Sequence, residues 1–183
     1  IWVTDQPEEQ VYYNNAGTMM DRNLGATSST PGDVGTHGLL YQWGRKDPFL
    51  GSSSISLDKR AKSTNIWPPV VESSNSKGTV EYTLKNPMRF VTGWGDWHYS
   101  GNDKLWQSPK TIYDPCPSGW CIPKGGSSGV WARALGSSAS FENTSLYYKS
   151  YRGMNFTGEL GNDSIIWYSA SGYINDNDGE LYY

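Results

Sequence analysis

The chain holds only two cysteines and two histidines in 183 residues, and that scarcity narrows its chemistry. A tetrahedral zinc site takes about four ligands, so Cys116 and Cys121 with the distant His37 and His98 give weak support for one. A thioredoxin-like redox pair is written C-x-x-C beside a βαβ unit. Here the cysteines have four residues between them, in "YDPCPSGWCIP" (Tyr113 to Pro123), a Pro/Gly turn. Neither histidine lies in a recognisable motif and there is no G-x-S-x-G elbow, so acid-base or nucleophilic machinery is not visible. Long apolar runs are missing too, none approaching the roughly 18 residues of a membrane span. The opening "IWVTDQPEEQ" lacks the basic and apolar regions of a signal peptide, so any export signal is expected to have been removed or to belong to a larger parent chain. Basic excess is the last absence: 15 Lys and Arg face 18 Asp and Glu, for a formal net charge of −3. That balance carries no electrostatic footprint for nucleic acid or an anionic membrane, and neutral surfaces are the expected partners.

What the chain does have is 13 Tyr and 9 Trp against 4 Phe, together with 21 Gly. Tyrosine and tryptophan join an apolar ring to a polar handle and are favoured where one side packs and the other meets water or a ligand. A chain of this length buries one ordinary core, and so many amphipathic rings suggest an aromatic binding surface besides that core.

Few segments have a helical pattern. "GLLYQWGRK" (Gly38 to Lys46) spaces Leu39, Leu40 and Trp43 as a helix would, and Asp47-Pro48 ends it. "SGVWARALG" (Ser128 to Gly136) predicts a second helix with Ser128 as N-cap and Gly136 as its stop. "TVEYTL" (Thr79 to Leu84) alternates and predicts a strand, as do "RFVTGW" (Arg89 to Trp94) and "SIIWYSA" (Ser164 to Ala170). The expected class is α+β: two short helices on small antiparallel sheets, with long irregular loops held by a rigid frame. No repeat or low-complexity tail divides the chain, so residues 1–183 are expected to form a single domain.

The charged runs "MDRNLGA" and "QWGRKDPF" bring together Asp21, Arg22, Arg45, Lys46 and Asp47. Paired charges that close loops around the first helix account for them better than an active site does. "NDNDGE" (Asn175 to Glu180) gathers oxygens as calcium loops do, but an EF-hand register with Gly179 at its sixth position puts Ile174 at the first, where an oxygen is required. A hairpin turn at Asn177-Asp178-Gly179 is expected instead, and no metal or cofactor is assigned.

"MDRNLGATS", "GLLYQWGRKDPF", "LKNPMRFV" (Leu84 to Val91), "DW" (Asp96 and Trp97), "LWQSPKTIYDPCPSGWCIP" (Leu105 to Pro123) and "ASGYINDNDGELYY" (Ala170 to Tyr183) follow one another in an order and spacing that resembles the Fibrobacter succinogenes major paralogous domain (FISUMP). The likeness runs from about Thr18 to the last residue. It implies a C-type-lectin-like fold, found in Bacteroidetes on exported lipoproteins, pilus-tip proteins and other cell-surface proteins. It also implies similarity to the variable proteins that diversity-generating retroelements mutate near their C-termini. The sequence departs from the family pattern at Cys121, where the family has Arg, at "YSA" (Tyr168 to Ala170) for Phe-Pro-Ala, and at "GYI" (Gly172 to Ile174) for Gly-Tyr-Arg. The family also continues past "GELYY" to a final strand, so the resemblance implies that the fold is completed beyond Tyr183 or by another segment. In the family the cysteine matching Cys116 pairs with a late cysteine that has no counterpart here; Cys121 then becomes the substitute, giving a local Cys116–Cys121 disulfide, with two free buried thiols as the alternative.

Taken together, these readings point to a non-catalytic extracellular or cell-surface module, part of a larger surface protein, that binds a protein or glycan on another cell without inserting into a membrane or binding nucleic acid. Candidate ligand contacts are Trp94, His98 and Tyr99 in "GWGDWHYSGND" (Gly93 to Asp103). In the C-terminal run they are Tyr147, Tyr148, Tyr151, Arg152 and Asn155, then Tyr168, Tyr173, Asn175 and Asn177. Tyr, Ser, Gly and Asn are the residues antibody paratopes favour, rigid rings beside adaptable polar groups. Trp97 and Trp106 match family positions and are expected in the core. The alternatives are a carbohydrate-binding domain stacking sugars on Trp94 and Tyr99, a structural domain of a pilus tip or phage tail, and an oxidase of the formylglycine-generating kind, which would require reactive Cys116 and Cys121.

Overall fold

A computed structural model describes residues 9–11, 17–51, 62–63, 68–135, 147–148, 153–155 and 167–182. In chain order its strands begin with β1 (Glu9–Val11), β2 (Thr18–Met20), β3 (Leu39–Tyr41), β4 (Pro48–Leu50), β5 (Lys62–Ser63) and β6 (Val70–Glu72). Helix α1 (Val80–Lys85), β7 (Phe90–Thr92) and helix α2 (Val130–Leu135) follow. The C-terminal part supplies β8 (Tyr147–Tyr148), β9 (Gly153–Asn155), β10 (Trp167–Ser169), β11 (Tyr173–Ile174) and β12 (Leu181–Tyr182). The chain forms two compact units, one of Ile1–Leu39, Ser53–Leu57 and Pro123–Ser171, the other of Leu40–Ser52, Asp58–Ile122 and Gly172–Tyr183.

In the first unit β1 pairs antiparallel with β2, and β9 lies between β8 and β10. Asn23 ties its loops together. Its amide reaches the Ser169 carbonyl and Ser171 Oγ, both at 2.9 Å, and Ser171 Oγ in turn donates to the His37 carbonyl at 2.6 Å. Arg22 closes on its neighbour Asp21 at 2.5 Å. Helix α2 lies within the segment expected from sequence, but its N-cap position is Gly129, whose carbonyl accepts from Arg133 N at 3.0 Å, and not Ser128.

In the second unit Val91, Trp97 and Leu105 are the buried centre, with Trp43, Val71, Val80, Tyr82 and Tyr113 packed on it. Two indole N–H groups are satisfied there: Trp97 donates to the Trp43 carbonyl at 2.5 Å, and Trp106 to that of Tyr113 at 2.9 Å. Trp97 is buried, as expected of a core residue, whereas Trp106, also expected in the core, is half-buried. β12 sits between β11 and β5, and β6 pairs with β7 in parallel, where only antiparallel sheets were expected.

Two elements differ in kind from the sequence expectation. Gly38 to Lys46 is not a helix. Leu39–Tyr41 is a strand beside β4, and a turn follows, closed by Arg45 N to the Gln42 carbonyl at 3.0 Å, with Gly44 at φ +75°. The polar side chains of the segment are committed in ways that require this shape. Gln42 brackets the Val91 backbone, donating to its carbonyl at 2.7 Å and accepting its N–H at 3.3 Å. Arg45, 2% exposed, donates to the carbonyls of Arg89 at 2.6 Å and Pro87 at 3.0 Å and lies over the Phe49 ring. Thr79 to Leu84, conversely, is no strand but the start of α1. Thr79 Oγ1 caps Tyr82 N at 3.1 Å, Asn86 returns its side-chain amide to the Tyr82 carbonyl at 2.9 Å, and Glu81 and Lys85 pair across one turn.

Candidate binding site

Two clefts in the second unit share Asp96 as a wall. One, of about 440 Å³, is lined by Val70, Glu72, Ser73, Thr92, Gly93, Trp94, Asp96, Tyr99 and Asn177. The other, of about 580 Å³, is lined mainly by Leu40 to Trp43, Phe90, Gly95 to Trp97, Asp103, Gly172 to Ile174 and Asp176. Their positions follow from the strand ends. β6 and β7 run in register with Glu72 opposite Thr92, so the chain leaving β7 enters the loop Gly93–Gly95 beside Glu72. Ser73 N bonds the Thr92 carbonyl at 2.8 Å and Ser73 Oγ donates to the Trp97 carbonyl at 2.6 Å, fixing both ends of that loop.

The β11–β12 hairpin holds the loop from the other side. Gly93 N donates to the Asp176 carbonyl at 2.9 Å and Gly95 N to Asp176 Oδ2 at 3.0 Å. The hairpin turn is itself built from side chains: Asn175 Oδ1 accepts from Asn177 N and Asp178 Oδ1 from Glu180 N, each at 2.8 Å. Asp96 Oδ1 accepts from His98 N at 2.8 Å, turning the chain between the two clefts. The result is a glycine-flanked Trp94 held by bonded backbone on both sides, its side chain 94% exposed, with Tyr99 63% exposed in the same cleft.

The sequence candidates distribute as follows. Trp94, Tyr99 and Asn177 line one cleft, and Tyr173 lines the other, stacked on Tyr182 with ring centroids 5.5 Å apart. His98 lines neither cleft and packs edge-on against Trp97. Asn175 lines neither and uses its side-chain oxygen inside the hairpin. Tyr168 is corrected: it is 5% exposed in the first unit, with its hydroxyl donating to the Met20 carbonyl, because β10 turns that ring inward. Tyr147 and Tyr148 form β8 and Asn155 ends β9, also in the first unit, while Tyr151 and Arg152 lie outside the described residues. Glu72, Asp96, Asp103 and Asp176 were missed. Asp96 was within reach, inside the quoted "GWGDWHYSGND", but the pairing of Asp176 with Gly95 spans 81 positions and leaves no local signal.

The cysteine loop is also corrected. Cys116 and Cys121 are free thiols, the first buried and the second exposed, where a local disulfide was expected. Charge closes this loop instead of sulfur. Asp114, 1% exposed, accepts from Cys116 N and Ile122 N at 2.8 Å each. Lys110 Nζ donates to Asp114 at 3.2 Å and to the carbonyls of Cys116 at 2.5 Å and Trp120 at 2.7 Å. Burial foremost, and then the Asp114 carboxylate, push the Cys116 thiol up to about 12, so it is poorly suited to act as a thiolate nucleophile. Among the described residues no group of three His, Cys, Asp or Glu could hold a metal ion, and no helix is long and apolar enough to cross a membrane. Comparison with protein families, curated proteins and solved structures finds no match for the chain.

Proposed function

We propose that the chain is a non-catalytic, C-type-lectin-like module of a cell-surface protein that binds a ligand at the clefts around Trp94. The observation that carries this is Trp94 itself. Leaving an indole in water forgoes about 4 kcal/mol of burial, yet this one is 94% exposed on a loop whose flanking glycine amides are both hydrogen-bonded to Asp176. A ring presented on a fixed backbone loses little entropy on binding, and central aromatic anchors supply most of the energy in many interfaces. Tyr99, Asn177 and Tyr173 extend the same surface. Carbohydrate recognition is the second reading, favoured by the open face that Trp94 offers for stacking.

The test is a screen of the purified 183-residue chain against arrays of glycans and cell-surface proteins, repeated with a Trp94→Ala/Tyr99→Ala variant. Loss of the hits, with the melting temperature within a few degrees of the parent, is the expected result, because substitutions at exposed positions cost little stability. Hits that survive both substitutions would place the binding surface elsewhere.

A further inference from the structure

The lining of the two clefts has one sign of charge. Among the described residues its ionisable members of either sign, apart from tyrosine, are Glu72, Asp96, Asp103 and Asp176, with no lysine or arginine. The whole chain carries a formal charge of only −3, so this is a local concentration and not a reflection of overall acidity. We infer that the clefts around Trp94 receive a cationic side chain, an arginine of a protein partner, stacked on the indole and paired with Glu72 and Asp96. The inference rests on the binding reading above and names its ligand class.

Three features lead there. Glu72 and Asp96 line the same cleft, and a cation offsets their charge where a neutral ligand leaves it in place. The exposed faces of Trp94 and Tyr99 attract a cation through their ring quadrupoles, tryptophan most strongly. A guanidinium is planar, so it lies flat on an indole while its edge donates to a carboxylate, which a compact ammonium cannot do in the same way. Asp96 has one oxygen committed to His98 N at 2.8 Å, and a carboxylate has lone pairs enough to accept from the guanidinium as well. Anionic ligands are disfavoured on the same ground, since none of the described lining residues would offset their charge.

The experiment is an NMR titration of the full chain, following the Trp94 indole N–H, with a capped Gly-Arg-Gly-Arg-Gly peptide and with the same peptide carrying citrulline, the uncharged isostere. The arginine peptide is expected to shift that resonance, at least roughly tenfold more tightly than citrulline, and to weaken between about 50 mM and about 500 mM NaCl. A Glu72→Gln/Asp96→Asn variant, which keeps the oxygen that caps His98 N, is expected to lose the arginine preference while its circular dichroism stays unchanged. Equal binding of the citrulline peptide, or a response to cellohexaose with none to arginine, would overturn the inference. The two readings fail separately. Array hits lost with Trp94→Ala but indifferent to Glu72→Gln/Asp96→Asn keep the site and sink its charge preference, whereas hits indifferent to Trp94→Ala sink the site.

Discussion

Asp114 shows how much one side chain can organise. It is 1% exposed and satisfies two backbone amides and an ammonium, so the loop that carries both cysteines closes on a carboxylate. Burial raises the Asp114 carboxyl, but the amides of Ile122 and Cys116 and the Lys110 ammonium outweigh it and hold the group below the ordinary aspartate value of 3.8. Its folded-state value is therefore depressed. The stability it contributes is fully present above 3.8 and is lost as pH falls through the folded value, because in that window the unfolded chain binds the extra proton. Asp114→Asn is expected to cost about 2 kcal/mol at neutral pH, one charged acceptor having become neutral. Its unfolding midpoint should also fall less steeply than the parent's as pH drops below about 4. Parallel midpoint-against-pH curves for the two proteins would show that Asp114 is not the titrating group. Nothing in the residue pattern hints at this closure, since its components Lys110, Asp114 and the turn Cys116–Ile122 make sense only once the chain has folded back on itself.

Among the elements, glycines decide what the apolar pattern leaves ambiguous. "GLLYQWGRK" satisfies helical spacing, yet Gly44 stands at φ +75°, and a Cβ there would meet Leu105 Cδ1 at 2.5 Å. Gly95 has nearly the same backbone, φ +77°, with nothing within 4 Å of its Cβ position. The pair separates conformational cost from packing cost. Gly95→Ala is expected to destabilise by about 1 kcal/mol, the cost of a left-handed residue, and Gly44→Ala by about 3 kcal/mol, since Leu105 must also move. Denaturant midpoints measure both, and equal losses would mean that the contact with Leu105 carries no energy. The same logic separates what was legible from what was not. Strands at "RFVTGW" and "SIIWYSA" and the hairpin turn at Asn177–Gly179 announce themselves through β-rich runs and turn residues. Thr79–Leu84 misleads because five or six alternating residues fit either period. The Thr79 cap and the Asn86 return bond, which settle it as a helix, are side-chain geometry that periodicity does not record.

For the molecule as a whole, the candidate site joins pieces far apart in the chain: the end of β6, the loop after β7 and the β11–β12 hairpin. Its aromatic members Trp94, Tyr99 and Tyr173 were legible as residue types in glycine-rich context, and Asp96 and Asp103 stand in the same run as the first two, whereas Glu72 and Asp176 join the clefts only through long-range pairing. The hairpin is the link whose removal should separate fold from site. Leu181, 2% exposed in β12 at the centre of its sheet, carries the hairpin's attachment, while Asp176 carries its grip on the Trp94 loop. Leu181→Ala is expected to cost about 3 kcal/mol and to speed amide exchange at both Gly93 and Gly95, since both bond to Asp176. Asp176→Ala removes only the side-chain acceptor and leaves its carbonyl for Gly93, so it should speed exchange at Gly95 alone, with stability changed by about 1 kcal/mol or less. Unchanged exchange at Gly95 in Asp176→Ala would mean that the loop holds its shape without the hairpin. The fixed presentation of Trp94 would then have to come from Glu72, Ser73 and the end of β7.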